Sequence, residues 1–279
     1  YDVWVPGNHE LDFGTAHFQS LSRQAPVPVL NGNLRLGSPP RPLPCWRVFE
    51  RAGARIAVVG LTTPNLPHWL WGEKYAGYEV RPAAETLRSV LPTIQRAGVD
   101  MIVVALHQGY MEREYRVRRE VKTIARRFPQ IDLILGAHTH RPFAGRPVAG
   151  AYYVQPAAHG EALARIEVTL DPGRHRVVKM TSRLVRTSAY QPDAGAAAVL
   201  RPWLEATAAA RKRVLARLPR RLTAGGVPGR DRGLSAVVGR ALATHTGATA
   251  ALVRDHAEHD WEPGTVTEQQ LFAALPYEN

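Results

Sequence analysis

Three apolar runs of the sequence each end in a histidine-bearing loop. Asp2–Val5 leads into Gly7-Asn8-His9-Glu10, Met101–Leu106 into His107-Gln108-Gly109, and Ile131–Leu135 into Gly136-Ala137-His138-Thr139-His140. Histidine is the commonest metal ligand, and asparagine can add a carbonyl oxygen. His138 and His140, two apart in a glycine-preceded loop, can face one metal centre or serve two adjacent ones. With no thiolate to contribute, such a site is a nitrogen and oxygen shell that suits zinc, manganese or iron and leaves positions open to water. A metal with an open position lowers the pKa of its water and makes a nucleophile at neutral pH. One histidine after one strand is more often a hydrogen-bonded structural residue. Three after three, with His-x-His in one loop and Asn-His in another, point to a metal or catalytic site.

The remaining histidines do not share this logic. His17 falls on an expected helix, His175 in a turn, and His245, His256 and His259 in a polar tail, so all five read as solvated surface residues. His68 and His159 could line a cleft but read as structural.

For the three loops to converge, the runs that carry them must be neighbouring strands whose carboxyl ends share one sheet edge, where α/β proteins build ligand sites. Asp2–Val5, Arg55–Leu61, Asp100–Leu106 and Ile131–Leu135 are short, β-branched and apolar on both faces, as buried parallel or mixed strands are. Between them Ala84, Leu87, Leu91 and Ile94 recur at helical spacing, as do Val117, Val121, Ile124 and Phe128. Pro92 is expected to kink or break the first helix, and Gly98 and Pro129 to stop the two. Strands alternating with helices give an α/β sheet. Tyr152–Gln155, Leu163–Leu170 and Arg176–Arg186 alternate apolar and polar around an Asp171-Pro172-Gly173 turn and read as antiparallel strands that finish the domain. Residues 195–218 read as a helix, Pro219–Gly233 as a loop, and the remainder as a helix near Leu234–His245, a strand near Ala250–Val253 and a helix near Glu268–Ala274.

The whole is 279 residues, 45% hydrophobic and 22% charged, with room for one large domain or two small ones. No apolar run approaches the ~18 residues of a membrane span. One cysteine, Cys45, excludes an intrachain disulfide and a cysteine-based zinc site. The net charge of +12 comes from arginines scattered along the chain, which reads as solvated helix faces and not as a nucleic-acid stripe with interleaved aromatics. The chain starts without a methionine and stops without a tail, and reads as a slice of a longer protein with no legible signal peptide.

The loop motifs resemble those of the metallophosphoesterases, in the 5′-nucleotidase and 2′,3′-cyclic-nucleotide 2′-phosphodiesterase branch. Gly7-Asn8-His9-Glu10-Leu11-Asp12-Phe13-Gly14 is similar to the Gly-Asn-His-Glu block in its longer form, His107-Gln108-Gly109 to the single-histidine block, and Gly136–His140 to the Gly-x-His-x-His block. In the tail, Gly264–Thr267, Leu271-Phe272 and Leu275–Asn279 resemble the start of the branch's C-terminal domain, with Arg230-Asp231-Arg232-Gly233-Leu234-Ser235 as its opening.

The resemblance implies a four-layer α/β/β/α sandwich over residues 1–188, a linker helix over 189–217, and the start of a substrate-binding α/β domain over 218–279. It implies two divalent metal ions of the zinc, manganese or iron type in the full-length protein. Asn8, His107 and His138 would ligate one metal and His140 the other, and His9 would contact the phosphoryl group or protonate the leaving oxygen. A metal-bound hydroxide would attack phosphorus, and Asp12 would be a structural hydrogen-bonder. The implied substrate is a nucleotide, its 2′,3′-cyclic ester or another small phosphoester, in the periplasm or outside the cell, with no membrane span and no specific nucleic-acid binding. Gly60–Pro64 with Trp69 and Trp71 leans toward the cyclic phosphodiesterases. The branch's Asp-x-His and Gly-Asp blocks, which supply the bridging carboxylate, do not occur in the sequence. The isolated chain is therefore expected to bind metal weakly and to be inactive. The alternatives are a non-catalytic remnant and a related sulfur-ester hydrolase on the same fold.

Overall fold

A computed structural model describes residues 1–37, 41–68, 77–110, 120–171, 173–224, 233–253 and 260–274. The chain divides into two compact units, Tyr1–Tyr190 and Gln191–Glu278.

The strands of the first unit are β1 (Leu34–Leu36), β2 (Arg41–Pro42), β3 (Trp46–Arg51), β4 (Ala54–Leu61), β5 (Tyr78–Val80), β6 (Met101–Leu106), β7 (Leu133–Gly136), β8 (Phe143–Val148), β9 (Ala151–Gln155), β10 (Ala162–Asp171) and β11 (Arg176–Arg186). Its helices are α1 (Thr15–Gln24), α2 (Ala83–Arg96) and α3 (Val121–Arg127). Six strands form one sheet in the order β3-β4-β6-β7-β9-β8. β4, β6, β7 and β9 run parallel, and β3 and β8 close the sheet as antiparallel edges. Leu61 pairs with Leu106 and Leu106 with Gly136, so the loops after these strands leave from one edge.

Period-two alternation divides the central strands between two cores. Ile102, Val104 and Ile134 pack with Leu87, Leu91 and Ile94 of α2 and Ile124 of α3. Met101, Val103, Leu133 and Val154 face the other way, onto Ile166, Val168 and Met180 of the β10–β11 hairpin. Burying each such aliphatic side chain is worth about 1.5–3 kcal/mol. The result is a helix, sheet, sheet stack, the α/β/β part of the expected sandwich. A third core gathers Leu11, Phe18, Leu34 and Leu66 beneath the small antiparallel sheet β2-β1-β5.

Helix α2 owes its position to its buried stripe and to Glu120, whose carboxylate accepts hydrogen bonds from the first two amides, Ala83 N at 3.0 Å and Ala84 N at 3.3 Å. A negative group there also complements the helix dipole. The expected break at Pro92 does not occur: Pro92 lies on the exposed face and α2 runs through it to Arg96. Gly98, at φ +65°, follows the helix end. Val117 lies outside the described residues.

Two strand expectations change. Asp2–Val5 forms one parallel bridge, Trp4 to Val29, and no longer ladder. Pro6, Pro26 and Pro28 border the pair and have no N–H to extend it. Tyr152–Gln155 pairs antiparallel with β8, as expected, but it lies inside the sheet: β8 reverses the chain, so β9 also runs parallel to β7 and ends at the site edge.

In the second unit, α4 (Ala194–Lys212) is followed by β12 (Val214–Leu218), α5 (Leu234–Thr246), β13 (Gly264–Thr267) and α6 (Glu268–Ala274). Asp193 caps α4, its carboxylate accepting from Ala196 N at 2.8 Å. The linker helix expected through residue 217 ends at Lys212. Val214–Leu218 pairs with β13 because its β-branched and aliphatic residues meet a partner strand there. Ala250–Val253 is not a strand, and Leu252 is fully exposed.

Candidate functional site

The parallel ladder carries His107 into place. Its amide donates to Leu61 O at 2.9 Å, one step beyond the end of β6. Ala137 N then donates to Gln108 O at 3.1 Å, tying the loop after β7 to the loop after β6. Gln108 is buried and exchanges hydrogen bonds with Glu120, which also caps α2, so the His107 loop is fixed to the helical layer.

Glycines make the close approach possible. A Cβ at Gly7 would lie 2.4 Å from His107 Cε1, so the imidazole rests directly on the Gly7 backbone. A Cβ at Gly136 would likewise strike the Tyr153 hydroxyl. Gly7 N donates to Glu10 Oε2 at 2.7 Å, which closes the turn that presents Asn8 and His9.

In this frame Asn8, His107 and His138 converge. Asn8 is buried, and its Oδ1 lies 2.9 Å from His107 Nε2 and 3.2 Å from His138 Nδ1. The two imidazoles meet edge to face, ring centroids 5.2 Å apart. Neighbouring donors around a cation at ~2.1 Å are themselves about 3 Å apart, so this amide oxygen and two ring nitrogens fit a shared divalent ion. Burial, reinforced by the charges of His138, His9 and His140, pushes the His107 pKa down to about 3. His107 is thus neutral at physiological pH, the form in which a ring nitrogen can bind a metal. Among the described residues no three His, Cys, Asp or Glu side chains are grouped to hold a metal ion; the third polar group against the two imidazoles is the Asn8 amide.

The other two expected residues, His9 and His140, lie near enough for their charges to act on His107. His9 is exposed, and its Nδ1 is 2.8 Å from Asp12 Oδ2, which orients the ring. Asp12 accordingly acts as the hydrogen-bonding partner expected of it. His140 is exposed, and its ring faces His159 with centroids 5.3 Å apart and planes at 72°. His138 and His140 take left-handed backbone angles, φ +72° and +56°, a region uncommon for non-glycine residues.

Gln155 at the end of β9 ties this loop to the sheet. It is buried, and its Nε2 donates to Thr139 Oγ1 at 3.0 Å and to Arg141 O at 2.9 Å, on both sides of His140. Its Oε1 accepts from the Tyr153 hydroxyl at 2.7 Å, and that hydroxyl accepts from Tyr110 N at 2.9 Å. The sequence singled out neither Gln155 nor the place of His159. The direction of β9, which brings both to the site edge, leaves no mark in an alternating five-residue run.

Of the remaining histidines, His17, His68 and His245 are exposed. His175 is exposed yet paired, Nδ1 2.6 Å from Asp100 Oδ1, which corrects the expectation of a merely solvated residue. Asp100, also accepting from Arg55 N, is held below the usual carboxylate range by these hydrogen bonds. His256, His259, Trp69, Trp71, Arg230, Asp231, Arg232 and Leu275–Asn279 lie outside the described residues.

No family model matches the chain. Curated relatives do. Endonuclease YhcR of Bacillus subtilis is 24% identical over 219 residues, 73% of this chain and 18% of the relative. The 2′,3′-cyclic-nucleotide 2′-phosphodiesterase/3′-nucleotidase of Haemophilus influenzae is 23% identical over 160 residues, 53% of this chain and 24% of the relative. The 5′-nucleotidase of Vibrio cholerae is 28% identical over 154 residues, 51% of this chain and 27% of the relative. The chain thus spans about a quarter or less of these proteins' lengths. In fold it matches the 5′-nucleotidase precursor of Thermus thermophilus, with a TM-score of 0.74 at 20% identity over 99% of this chain and 58% of that one. It also matches the calcineurin-like phosphoesterase YfkN of Bacillus subtilis, with a TM-score of 0.65 at 18% identity over 74% of this chain and 70% of that one. Its homologues and structural neighbours thus include 5′-nucleotidases, a 2′,3′-cyclic-nucleotide 2′-phosphodiesterase and a calcineurin-like phosphoesterase.

Proposed function

We propose that this chain carries the catalytic edge of a metal-dependent phosphoester hydrolase acting on nucleotides or their 2′,3′-cyclic esters. The observation that supports it most is the convergence of Asn8 Oδ1 with His107 Nε2 and His138 Nδ1 on one spot at the sheet edge. These three residues hold one divalent cation of the zinc, manganese or iron type, and His140 contributes to a second. Cations there supply Lewis-acid polarisation of the phosphoryl group and acidify water.

His9 acts on the substrate directly. With Nδ1–H donating to the Asp12 carboxylate, Nε2 is left for the phosphoryl or leaving oxygen. When that nitrogen is protonated it donates to the oxygen on which charge develops, or transfers its proton to the departing alkoxide. Asp12 keeps the ring turned. Residues 1–188 are proposed as catalytic, 189–217 as a linker and 218–279 as the start of a substrate-binding domain. A periplasmic or extracellular location is proposed with it. Among the described residues no helix is long and apolar enough to cross a membrane.

The test is hydrolysis by the complete gene product of a chromogenic monoester, 2′,3′-cyclic AMP and DNA, with zinc or manganese supplied. Cleavage of the small esters, lost in His9→Ala and His138→Ala, is expected. No metal uptake and no cleavage of any of the three would favour the remnant. Metal uptake with all three esters intact would direct the search to sulfur esters.

A further inference from the structure

We propose that His159 joins His140 as a metal ligand, so that the two imidazoles share one divalent cation beyond the ends of β7 and β9; the proposal rests on the metal-dependent reading above. Four observations carry it. First, β9 runs parallel to β7, so the loop holding His159 leaves from the same edge as the loop holding His140. Second, the ring separation suits a shared ion. Two imidazoles bonded at ~2.1 Å to one tetrahedral cation have centroids about 5 Å apart. The His140–His159 separation is 5.3 Å, against 5.2 Å for His107–His138.

Third, both loops are held in register. Gln155 reaches across to Thr139 Oγ1 and Arg141 O, flanking His140. On the other side of His159, Glu161 N donates to Ala158 O at 3.0 Å and Thr187 Oγ1 donates to Gly160 O at 2.7 Å. Fourth, His159 sits at φ +55°, almost the same left-handed angle as His140. That conformation costs a non-glycine residue on the order of 1 kcal/mol or more. Ala52, Ala149 and His175 take similar angles in turns elsewhere; here it falls on two histidines whose rings face each other. Both rings are open to solvent, which leaves coordination positions for water or substrate oxygen. A set of neutral imidazoles suits zinc and cobalt.

Zinc alone is the probe. Long-range 1H–15N spectra of the histidine rings are recorded on the 279-residue chain at fixed pH as zinc is added. The ring nitrogens of His140 and His159 are expected to shift together, with one common affinity. His159→Gly, which suits the left-handed backbone and so preserves the fold, should weaken the zinc affinity read at His140 about tenfold and leave that read at His107 and His138 unchanged. If His107 and His138 respond while His159 does not, or if His159→Gly titrates like the parent at His140, the proposal is overturned and the metal reading stands. If no histidine responds, both fall.

Discussion

Asn8 Oδ1 and His138 Nδ1 lie 3.2 Å apart although 130 residues separate them in the chain. Nothing local brings them together. The contact exists because β6 and β7 are adjacent and parallel, and because Gly7 lets the intervening His107 ring settle on the backbone.

Gly7→Ala tests that packing. The new methyl would lie 2.4–2.6 Å from three atoms of the His107 ring. The ring sits in a buried cluster with little room to yield, so the substitution should cost about 1–3 kcal/mol of stability. Zinc affinity at His107 should fall with it. Urea unfolding and a zinc titration read the two effects, and an unchanged protein would show that the ring is not seated on Gly7.

Gln155→Leu tests the frame of the His-x-His loop. It removes the donors to Thr139 and Arg141 and the acceptor for Tyr153. Leaving buried polar groups unpaired costs about 1–3 kcal/mol each. A drop in the urea midpoint of that order is expected, with exchange broadening in the ring signals of His138 and His140. Gln155→Glu keeps the acceptor for Tyr153 but loses the donor to Arg141 O, and should fall between the two.

The strand ends, the three histidine loops and the α2 stripe were legible in the sequence because each rests on local pattern: an apolar run, a glycine turn, a helical period. What was not legible rests on strand direction and partners. The alternation in Tyr152–Gln155 is the same whichever way the strand runs, so neither the parallel pairing of β9 nor the place of His159 followed from it. Asp2–Val5 has the composition of a core strand, yet its proline neighbours confine it to a single bridge. The helix expected across 195–218 stops at Lys212 because Val214–Leu218 finds β13, a partner some fifty residues on.

His9→Ala separates catalysis from metal binding. His9 Nδ1 is held by Asp12, and His9 is not among the three residues proposed to share the cation, so zinc uptake should be unchanged. Turnover of the complete gene product should fall about 10²–10⁴-fold, the usual scale of a lost proton donor. Asp12→Asn, which loses the charge but keeps a hydrogen-bonding oxygen, should lower turnover less. Loss of metal in either variant would contradict the assignment.

Cys45 provides a pH test away from the site. Burial pushes its thiol up to about 12 from 9.0, and it packs against Gly32, where a Cβ would strike its sulfur. At pH 8 the native protein should react with iodoacetamide far more slowly than the urea-unfolded chain. A folded pKa above the unfolded one means that this contribution to stability is intact below pH 9.0 and is lost as the pH rises toward about 12. The urea midpoint of the parent should therefore fall over that range more steeply than that of Cys45→Ala.

The central claim is that Asn8, His107 and His138 hold one divalent cation between them. The most direct test is an anomalous difference map, recorded at the zinc edge, from crystals grown with zinc. The account predicts a peak at ~2.0–2.2 Å from His107 Nε2, His138 Nδ1 and Asn8 Oδ1 together. Zinc bound elsewhere, with those three atoms still in contact with one another and no peak between them, would contradict it.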